Sequence, residues 1–122
     1  MKSGATLGKG VYFADAATKA MQYCRTCGPG KSGLLLLCQV ALGNMLKMNN
    51  SYHTCQEKFK KDNCFDSAMA QGRRVPLEKD WVTRGDYDVP CGKLSEGRRD
   101  AGLTFTEYVV SNTDQINLMF LV

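Results

Sequence analysis

The order of apolar and polar positions predicts three elements in the first third of the chain. Residues 10–15 form a short apolar and aromatic run, which is typical of an interior strand. Residues 16–24 are rich in helix formers and follow Asp15, a favoured N-cap residue, so we expect a short helix there. Residues 33–42 form an apolar run bounded by glycines, which favours a strand buried on both faces over a segment of buried helix.

The last third of the chain predicts two further strands. Residues 103–111 and 115–122 alternate in polarity and are separated by turn formers at 112–114, a pattern that predicts a β-hairpin. Residues 49–102 are polar and contain many glycines and charged residues, and we expect them to form mostly surface loops. The expected class is α+β, with an antiparallel sheet and a short helix after the first strand.

Composition favours a single domain and argues against a membrane-spanning or secreted protein. The 122 residues are 43% hydrophobic, which is enough for a core, and a net charge of +4 is too mild to argue for nucleic-acid binding. The longest unbroken apolar runs have five residues, whereas a membrane-spanning helix needs roughly 20. The first residues lack the apolar segment of a secretory signal. We therefore expect an intracellular protein with no membrane partner, whose six cysteines stay reduced.

Glu107 is the most informative carboxylate in the sequence. Period-two alternation in its predicted strand puts it on the same face as Phe105 and Val109. A carboxylate among apolar strand neighbours lies either at a solvated sheet edge or inside a cleft. The pattern alone leaves both alternatives open.

Two tyrosines flank the predicted helix, and a lysine lies between them. Lys19 and Tyr23 are spaced i,i+4 and so share one helix face, while Tyr12 lies on the preceding strand. Two tyrosines and a cation beside a glycine-rich turn could form an aromatic slot for a flat, cationic ring. The alternative is that both are ordinary tyrosines at the edge of the core.

The cysteines raise a metal hypothesis. Cys24 and Cys27 have the spacing of zinc ligands, and His53, Cys55 and Cys64 follow downstream. No second C-x-x-C pair completes the set, so we predict no metal site. A small zinc-binding interaction protein remains the alternative hypothesis.

Several motifs, taken in order, resemble the catalytic domain of poly(ADP-ribose) polymerases. The first is GKGVYFAD, followed at helical spacing by a lysine, a tyrosine and a cysteine. The resemblance covers nearly the whole chain and is weakest between residues 49 and 84. The matching stretches are residues 8–15, 19–24, 33–45, 87–90, 106–110 and 115–118.

This resemblance implies a diphtheria-toxin-like ADP-ribosyltransferase fold, in which NAD binds as a substrate in a cleft of a split antiparallel β-sheet. Tyr12 and Glu107 match the tyrosine and glutamate of the family's His-Tyr-Glu catalytic triad. Tyr23 matches the tyrosine that stacks on the nicotinamide ring, and Lys19 matches a lysine of the cleft. The remaining predicted NAD-site residues lie beside these matches in sequence: Phe13, Ala14 and Ala20.

The sequence departs from the family pattern at two points. The triad histidine would precede Tyr12, but none of the 11 residues before Tyr12 is a histidine, and His53 lies downstream. The family's serine that holds the nicotinamide carboxamide matches Ala20, which has no hydroxyl. We therefore expect residues 1–122 to form one partial catalytic domain that lacks the N-terminal NAD-binding segment with the histidine motif.

The resemblance also implies partners and a location. It predicts an NAD-dependent transferase of ADP-ribose to protein acceptors or to a growing chain, in the nucleus, with DNA contacts made only by domains not present here. We expect the isolated chain to be inactive. The alternative is a catalytically dead module of the same fold that binds NAD, ADP-ribose or a protein.

Overall fold

Short strands dominate the structure, a computed structural model that describes residues 7–26, 28–48 and 64–122. One α-helix, α1, spans Ala17–Met21 in this part of the chain, and two 3-10 helices span Glu78–Asp80 and Thr113–Gln115. The strands in chain order are β1 (Val11–Phe13), β2 (Leu36–Val40), β3 (Met45–Met48), β4 (Ser67–Ala70), β5 (Arg74–Pro76), β6 (Val82–Arg84), β7 (Tyr87–Val89), β8 (Leu94–Glu96), β9 (Glu107–Val110) and β10 (Ile116–Leu121).

The central sheet has four strands in the order β1-β9-β4-β3. β9 is antiparallel to both of its neighbours, as the sequence predicts, whereas β3 and β4 are parallel. Parallel neighbours require a crossover of about a dozen residues or more, and residues 49–66 supply that length. The structure is mostly strands with few helices, as the expected α+β class requires, but the strands form several small sheets, and the β3–β4 pair adds parallel pairing to the expected antiparallel sheet.

The core lies against this central sheet. Its buried members are alanines, leucines and a valine. The two alanines lie on β4, where their small side chains let neighbouring side chains pack close to the backbone. Four half-buried hydrophobic residues cover its rim. The buried cluster is Leu7, Leu46, Ala68, Ala70 and Val109, and the rim is Tyr12, Met48, Phe65 and Leu103.

The predicted C-terminal hairpin is wrong. β10 pairs with β2 in a separate two-stranded sheet, and β9 pairs with β1 and β4. Asn112 accepts a hydrogen bond from the backbone N–H of Asp114 at 2.9 Å, which stabilises the turn between β9 and β10. Gln115 then donates its side-chain amide to the carbonyls of Ala41 and Asp66, at 2.8 and 3.0 Å. These contacts direct β10 toward β2.

The strand predicted within residues 33–42 forms as β2, but its expected burial on both faces is wrong. Leu36 and Leu37 are neighbours and therefore point to opposite faces, yet they are 62% and 49% exposed. On β10, Leu118 and Phe120 are exposed as well. The rest of β2, residues 38–40, is half-buried, so the exposed apolar surface lies toward the Leu36 end of the strand.

The predicted helix is shorter than expected, and its predicted cap is wrong. Ala16, in an extended conformation, occupies the N-cap position of α1 and makes no side-chain capping bond. Asp15 instead accepts a hydrogen bond from the Tyr108 hydroxyl on β9. The Asp15 side chain, which local propensity predicts as the helix cap, is therefore bonded to a residue distant in the sequence.

The loop prediction for residues 49–102 is wrong where the structure describes it. Residues 64–102 hold β4 and two small antiparallel ladders, β5–β8 and β6–β7. Gly85 has a φ of 62°, a conformation that suits the tight turn between β6 and β7. Residues 49–63 lie outside the described part of the chain. Within that part, no helix is long and apolar enough to cross a membrane.

We expect the isolated 122-residue chain to self-associate through the β2–β10 sheet, because large exposed apolar faces are rare on soluble monomers. Leu37 and Phe120 are cross-strand partners, so replacing both with lysine should shift the mass measured by light scattering toward the monomer. Val82→Lys is the control, since Val82 is also exposed but lies in the separate β6–β7 ladder. Equal association of all three proteins would contradict this role for the sheet.

Candidate functional site

Glu107 is buried at the start of the innermost pair of strands. It is 4% exposed, and β9 has a hydrogen-bonded neighbour on each side. Its cross-strand partner on β4 is Ala70, which is also buried. Of the two alternatives left by the sequence, the solvated sheet edge is therefore excluded.

Lys19 of α1 holds one oxygen of this carboxylate. Its Nζ lies 2.7 Å from Glu107 Oε1, and the lysine side chain is 16% exposed. Burial lowers the pKa of Lys19, but the hydrogen bond and the negative charge of Glu107 outweigh it, so the pKa is raised above the ordinary value of 10.5. The Lys19 ammonium therefore stays protonated at neutral pH beside the buried carboxylate.

The second oxygen of the carboxylate is unpartnered. Glu107 Oε2 is buried and accepts no hydrogen bond from the described residues. Buried acceptors in proteins almost always have a donor. Such an oxygen fits a ligand hydroxyl, so the carboxylate has one oxygen fixed by the protein and one available.

Tyr23 lies beside this ion pair, as the i,i+4 spacing predicts. The Lys19 Nζ is 5.4 Å from the centroid of the Tyr23 ring, within the range of a cation–π contact. The ring is 72% exposed. Its surface is therefore accessible to a flat ligand next to the Glu107 carboxylate.

Tyr12 shares a sheet face with Glu107 but makes different contacts. It pairs with Val109 across β1 and β9, and Val109 is two residues from Glu107 on the same strand. The Tyr12 hydroxyl donates to the carbonyl of Gly8 at 2.6 Å and accepts from the backbone N–H of Leu7 at 2.9 Å. Tyr12 thereby fixes the segment that leads into β1.

The other predicted site residues lie along the same segment. Phe13 is the cross-strand partner of Tyr108, so it belongs to the sheet face opposite Glu107. Ala14 follows β1 directly, and Ala20 lies in α1 one residue after Lys19. Ala20 is half-buried and offers a methyl group where the family pattern has a hydroxyl.

The zinc hypothesis falls largely outside the structure. Cys27, His53 and Cys55 are not among the described residues. Within residues 7–26, 28–48 and 64–122, no three His, Cys, Asp or Glu side chains come together as potential metal ligands.

Two residues near the site have contacts that the sequence analysis missed. Tyr108, next to Glu107 on β9, donates a long hydrogen bond of 3.4 Å from its hydroxyl to Asp15 Oδ2. Burial raises the pKa of the Asp15 carboxyl, against the opposing hydrogen bonds from Tyr108, the Asp15 backbone and Thr106. Strand alternation places Tyr108 opposite Glu107, but it gives no information on which residue meets it there.

These features define a small α+β domain with a carboxylate-centred candidate site, flanked by a lysine and an exposed aromatic ring. The family model of the poly(ADP-ribose) polymerase catalytic domain matches residues 2–122. The chain therefore belongs to the poly(ADP-ribose) polymerase catalytic domain family, and the resemblance noted in the sequence is confirmed.

Curated relatives agree with the family match. The chain is 37% identical over 122 residues to Poly [ADP-ribose] polymerase 1 of Arabidopsis thaliana and 36% identical over 121 residues to that of Danio rerio. It is 31% identical over 121 residues to Poly [ADP-ribose] polymerase of Drosophila melanogaster. Each comparison covers 98% of this chain but 12% of the relative.

We expect Lys19→Met to lower the free energy of unfolding by about 3 kcal/mol at neutral pH, because it leaves the buried Glu107 carboxylate without its counter-charge. Arg99→Met is the matched control. It removes the Arg99–Glu96 ion pair, whose side chains are both exposed, and should change stability by less than about 1 kcal/mol. Urea unfolding measures both, and equal effects would show that the Lys19 pair is energetically a surface pair.

The stabilisation that Lys19 supplies should depend on pH at the alkaline end. Because the folded-state pKa of Lys19 is raised, its contribution is complete below the ordinary lysine pKa of 10.5 and is lost as the pH rises through the folded value. The stability difference between wild type and Lys19→Met should therefore shrink at alkaline pH. A gap that stays constant there would contradict the assignment.

Proposed function

We propose that this domain belongs to an enzyme that cleaves NAD and transfers ADP-ribose to protein acceptors or to a growing ADP-ribose chain, in the nucleus. Family membership supports NAD as the substrate. The single observation that carries the proposal is Glu107, a buried carboxylate with Oε1 held by Lys19 and Oε2 without a partner among the described residues.

The chemistry of the reaction suits such a carboxylate. Breaking the bond between nicotinamide and ribose sends the bonding electrons to the leaving ring and builds oxocarbenium character on the ribose, as in glycoside hydrolysis. In the ground state the positive charge lies on the nicotinamide ring, and it moves to the ribose as the bond breaks, so a buried carboxylate facing the ribose stabilises the transition state more than the ground state. Glu107 Oε2 would accept a hydrogen bond from a ribose hydroxyl, while the Lys19 bond keeps the carboxylate from rotating.

The second half of the reaction can use the same group. The acceptor hydroxyl attacks the ribose carbon that nicotinamide leaves, and as the new bond forms its proton passes to the Glu107 carboxylate and from there to solvent. A carboxylate that accepts a hydrogen bond from this hydroxyl makes its oxygen more nucleophilic. We therefore assign Glu107 to both charge stabilisation and polarisation of the acceptor.

The proposed binding surface for nicotinamide is the ring of Tyr23. Its exposure and its position beside the Glu107–Lys19 pair support stacking of a flat, cationic ring against it. Tyr12 on β1 and Ala14 just after it are proposed to line the site, whereas the side chain of Phe13 belongs to the opposite sheet face and is left out of the proposed lining. Tyr12 would act through its ring face, because its hydroxyl is already bonded to the backbone.

Ala20 favours a second candidate function. Its methyl group cannot donate or accept a hydrogen bond to the nicotinamide carboxamide, so one orienting contact of the proposed site is lacking. A domain of this kind could bind NAD or ADP-ribose and turn over slowly or not at all. Transferase activity separates the two candidates.

A chimera tests the proposed reaction. Residues 1–122 would replace the matching segment of the Arabidopsis relative, which supplies the rest of a catalytic domain, and transfer of label from NAD to protein would be measured. We expect transfer by the chimera and a loss of about 100-fold or more in Glu107→Gln, with little change in NAD affinity, because the lost charge acts on the transition state.

Two controls keep that result interpretable. Glu96→Gln removes an exposed carboxylate of the same type and should transfer like the parent chimera. A folded chimera that binds NAD without transferring ADP-ribose would instead favour the binding module. Equal losses of NAD affinity and turnover in Glu107→Gln would make Glu107 a ground-state binding residue.

Benzamide, a nicotinamide mimic, tests the proposed role of Tyr23. Tyr23→Ala should weaken benzamide binding by about 1–3 kcal/mol, since stacking and burial are both lost. Tyr23→Phe keeps the ring and should bind nearly as well as wild type. Calorimetric titration gives both affinities, and a Phe variant as weak as the Ala variant would contradict stacking.

A further inference from the structure

The segment from Asp15 to Lys19 contacts β9 on both of its faces. Glu107 and Tyr108 are consecutive on this strand, so their side chains point to opposite faces of the sheet. Lys19 reaches Glu107 on one face, and Asp15 accepts from Tyr108 on the other. Two side-chain contacts, one on each face, thus join the same two pieces of chain.

Helix α1 has few other means of holding its position. It contains five residues, no buried side chain and no side-chain cap. A helix this short is not stable without tertiary contacts. Its placement relative to β9 therefore depends on the contacts at its start, where Asp15 lies, and on the Lys19–Glu107 pair itself.

We propose that Asp15 is a positioning residue that acts through Tyr108 to hold α1 so that Lys19 and Tyr23 face the Glu107 carboxylate. This inference rests on the proposed function for its catalytic consequence. The Tyr108 hydroxyl fixes the chain where β1 passes into α1, and this junction sets the direction in which Lys19 and Tyr23 project.

The electrostatics of Asp15 agree with a role other than stability. Burial raises the pKa of its carboxyl above the ordinary value of 3.8, so the charged form is held in the folded state at a cost in stability at neutral pH. Burial and the nearby Asp15 charge likewise raise the pKa of the Tyr108 hydroxyl, which stays protonated as the donor. A buried group that costs stability is a feature expected of residues that position a site.

The test measures the pKa of Lys19 in the 122-residue chain by NMR titration of protein labelled at the lysine ammonium. Tyr108→Phe removes the hydroxyl and keeps the ring, and Asp15→Ala removes the acceptor. In both variants the Lys19 pKa should fall back toward the ordinary lysine value, because Lys19 no longer lies against Glu107. Asp15→Asn keeps an acceptor oxygen for Tyr108 and should retain the raised pKa of Lys19.

Matched controls separate this effect from general damage. Tyr87→Phe and Asp88→Ala make the same chemical changes on β7, which lies in the separate β6–β7 ladder, and should leave the Lys19 pKa as in wild type. Benzamide affinity is the second measurement. It should fall about fivefold in Tyr108→Phe and Asp15→Ala, the equivalent of one lost hydrogen bond, and be restored in Asp15→Asn.

Three outcomes would overturn the proposal. The first is an unchanged Lys19 pKa in folded Tyr108→Phe and Asp15→Ala. The second is an Asp15→Asn variant as altered as Asp15→Ala, since the charge would then matter rather than the hydrogen bond. The third is unfolding of all the Asp15 and Tyr108 variants, which would make the pair a support of the sheet. If the wild-type chain does not bind benzamide, the proposed function is weakened, while the Lys19 measurement still decides the positioning role.

Discussion

The site depends on one contact inside the protein, between the Glu107 carboxylate and the Lys19 ammonium. An isolated buried carboxylate is so unfavourable that it would take up a proton or move to solvent. Lys19, whose Nζ lies 2.7 Å from Glu107 Oε1, supplies the opposite charge that a buried carboxylate requires. That contact in turn requires α1 to be held against β9, although the helix has no buried residue of its own. Burial of Glu107 therefore depends on the position of the helix. The same position places the exposed ring of Tyr23 beside the ion pair.

The sequence predicted the elements of this arrangement better than their partners. Strand alternation correctly put Glu107 and Val109 on one face of β9, although Phe105, predicted to share that face, lies before the strand begins. Helical spacing correctly brought Lys19 beside Tyr23. Both results depend on residues less than five positions apart, where local geometry decides. The partner of β10 is a long-range property, because alternation records which face of a strand is apolar but not which strand lies beside it.

The assignment of Asp15 failed for a related reason. N-cap preference describes a competition among local hydrogen bonds. It does not include a donor such as the Tyr108 hydroxyl, which lies 93 positions away in the sequence. Leu36 and Leu37 illustrate the same limit for burial. An apolar run predicts a strand, but it does not show whether other parts of the chain pack against the faces of that strand. The predictions that failed are thus those for residues whose surroundings depend on segments distant in the sequence.

The glycines of the first motif show how the backbone brings these groups within reach. Gly8 has a φ of 94°, a conformation that an L residue rarely adopts, and its carbonyl accepts the Tyr12 hydroxyl. A Cβ on Gly10 would collide with the Val109 side chain and would lie 2.6 Å from the Val110 carbonyl oxygen. β1 can therefore approach β9 closely only with glycine at position 10. That close approach brings the chain after β1 near Tyr108, and Asp15 is close enough to accept its hydroxyl. Glycine at position 10 thus allows β1 to lie close to β9. Because the chain after β1 is then near β9, Asp15 and Lys19 can contact Tyr108 and Glu107 on its two faces.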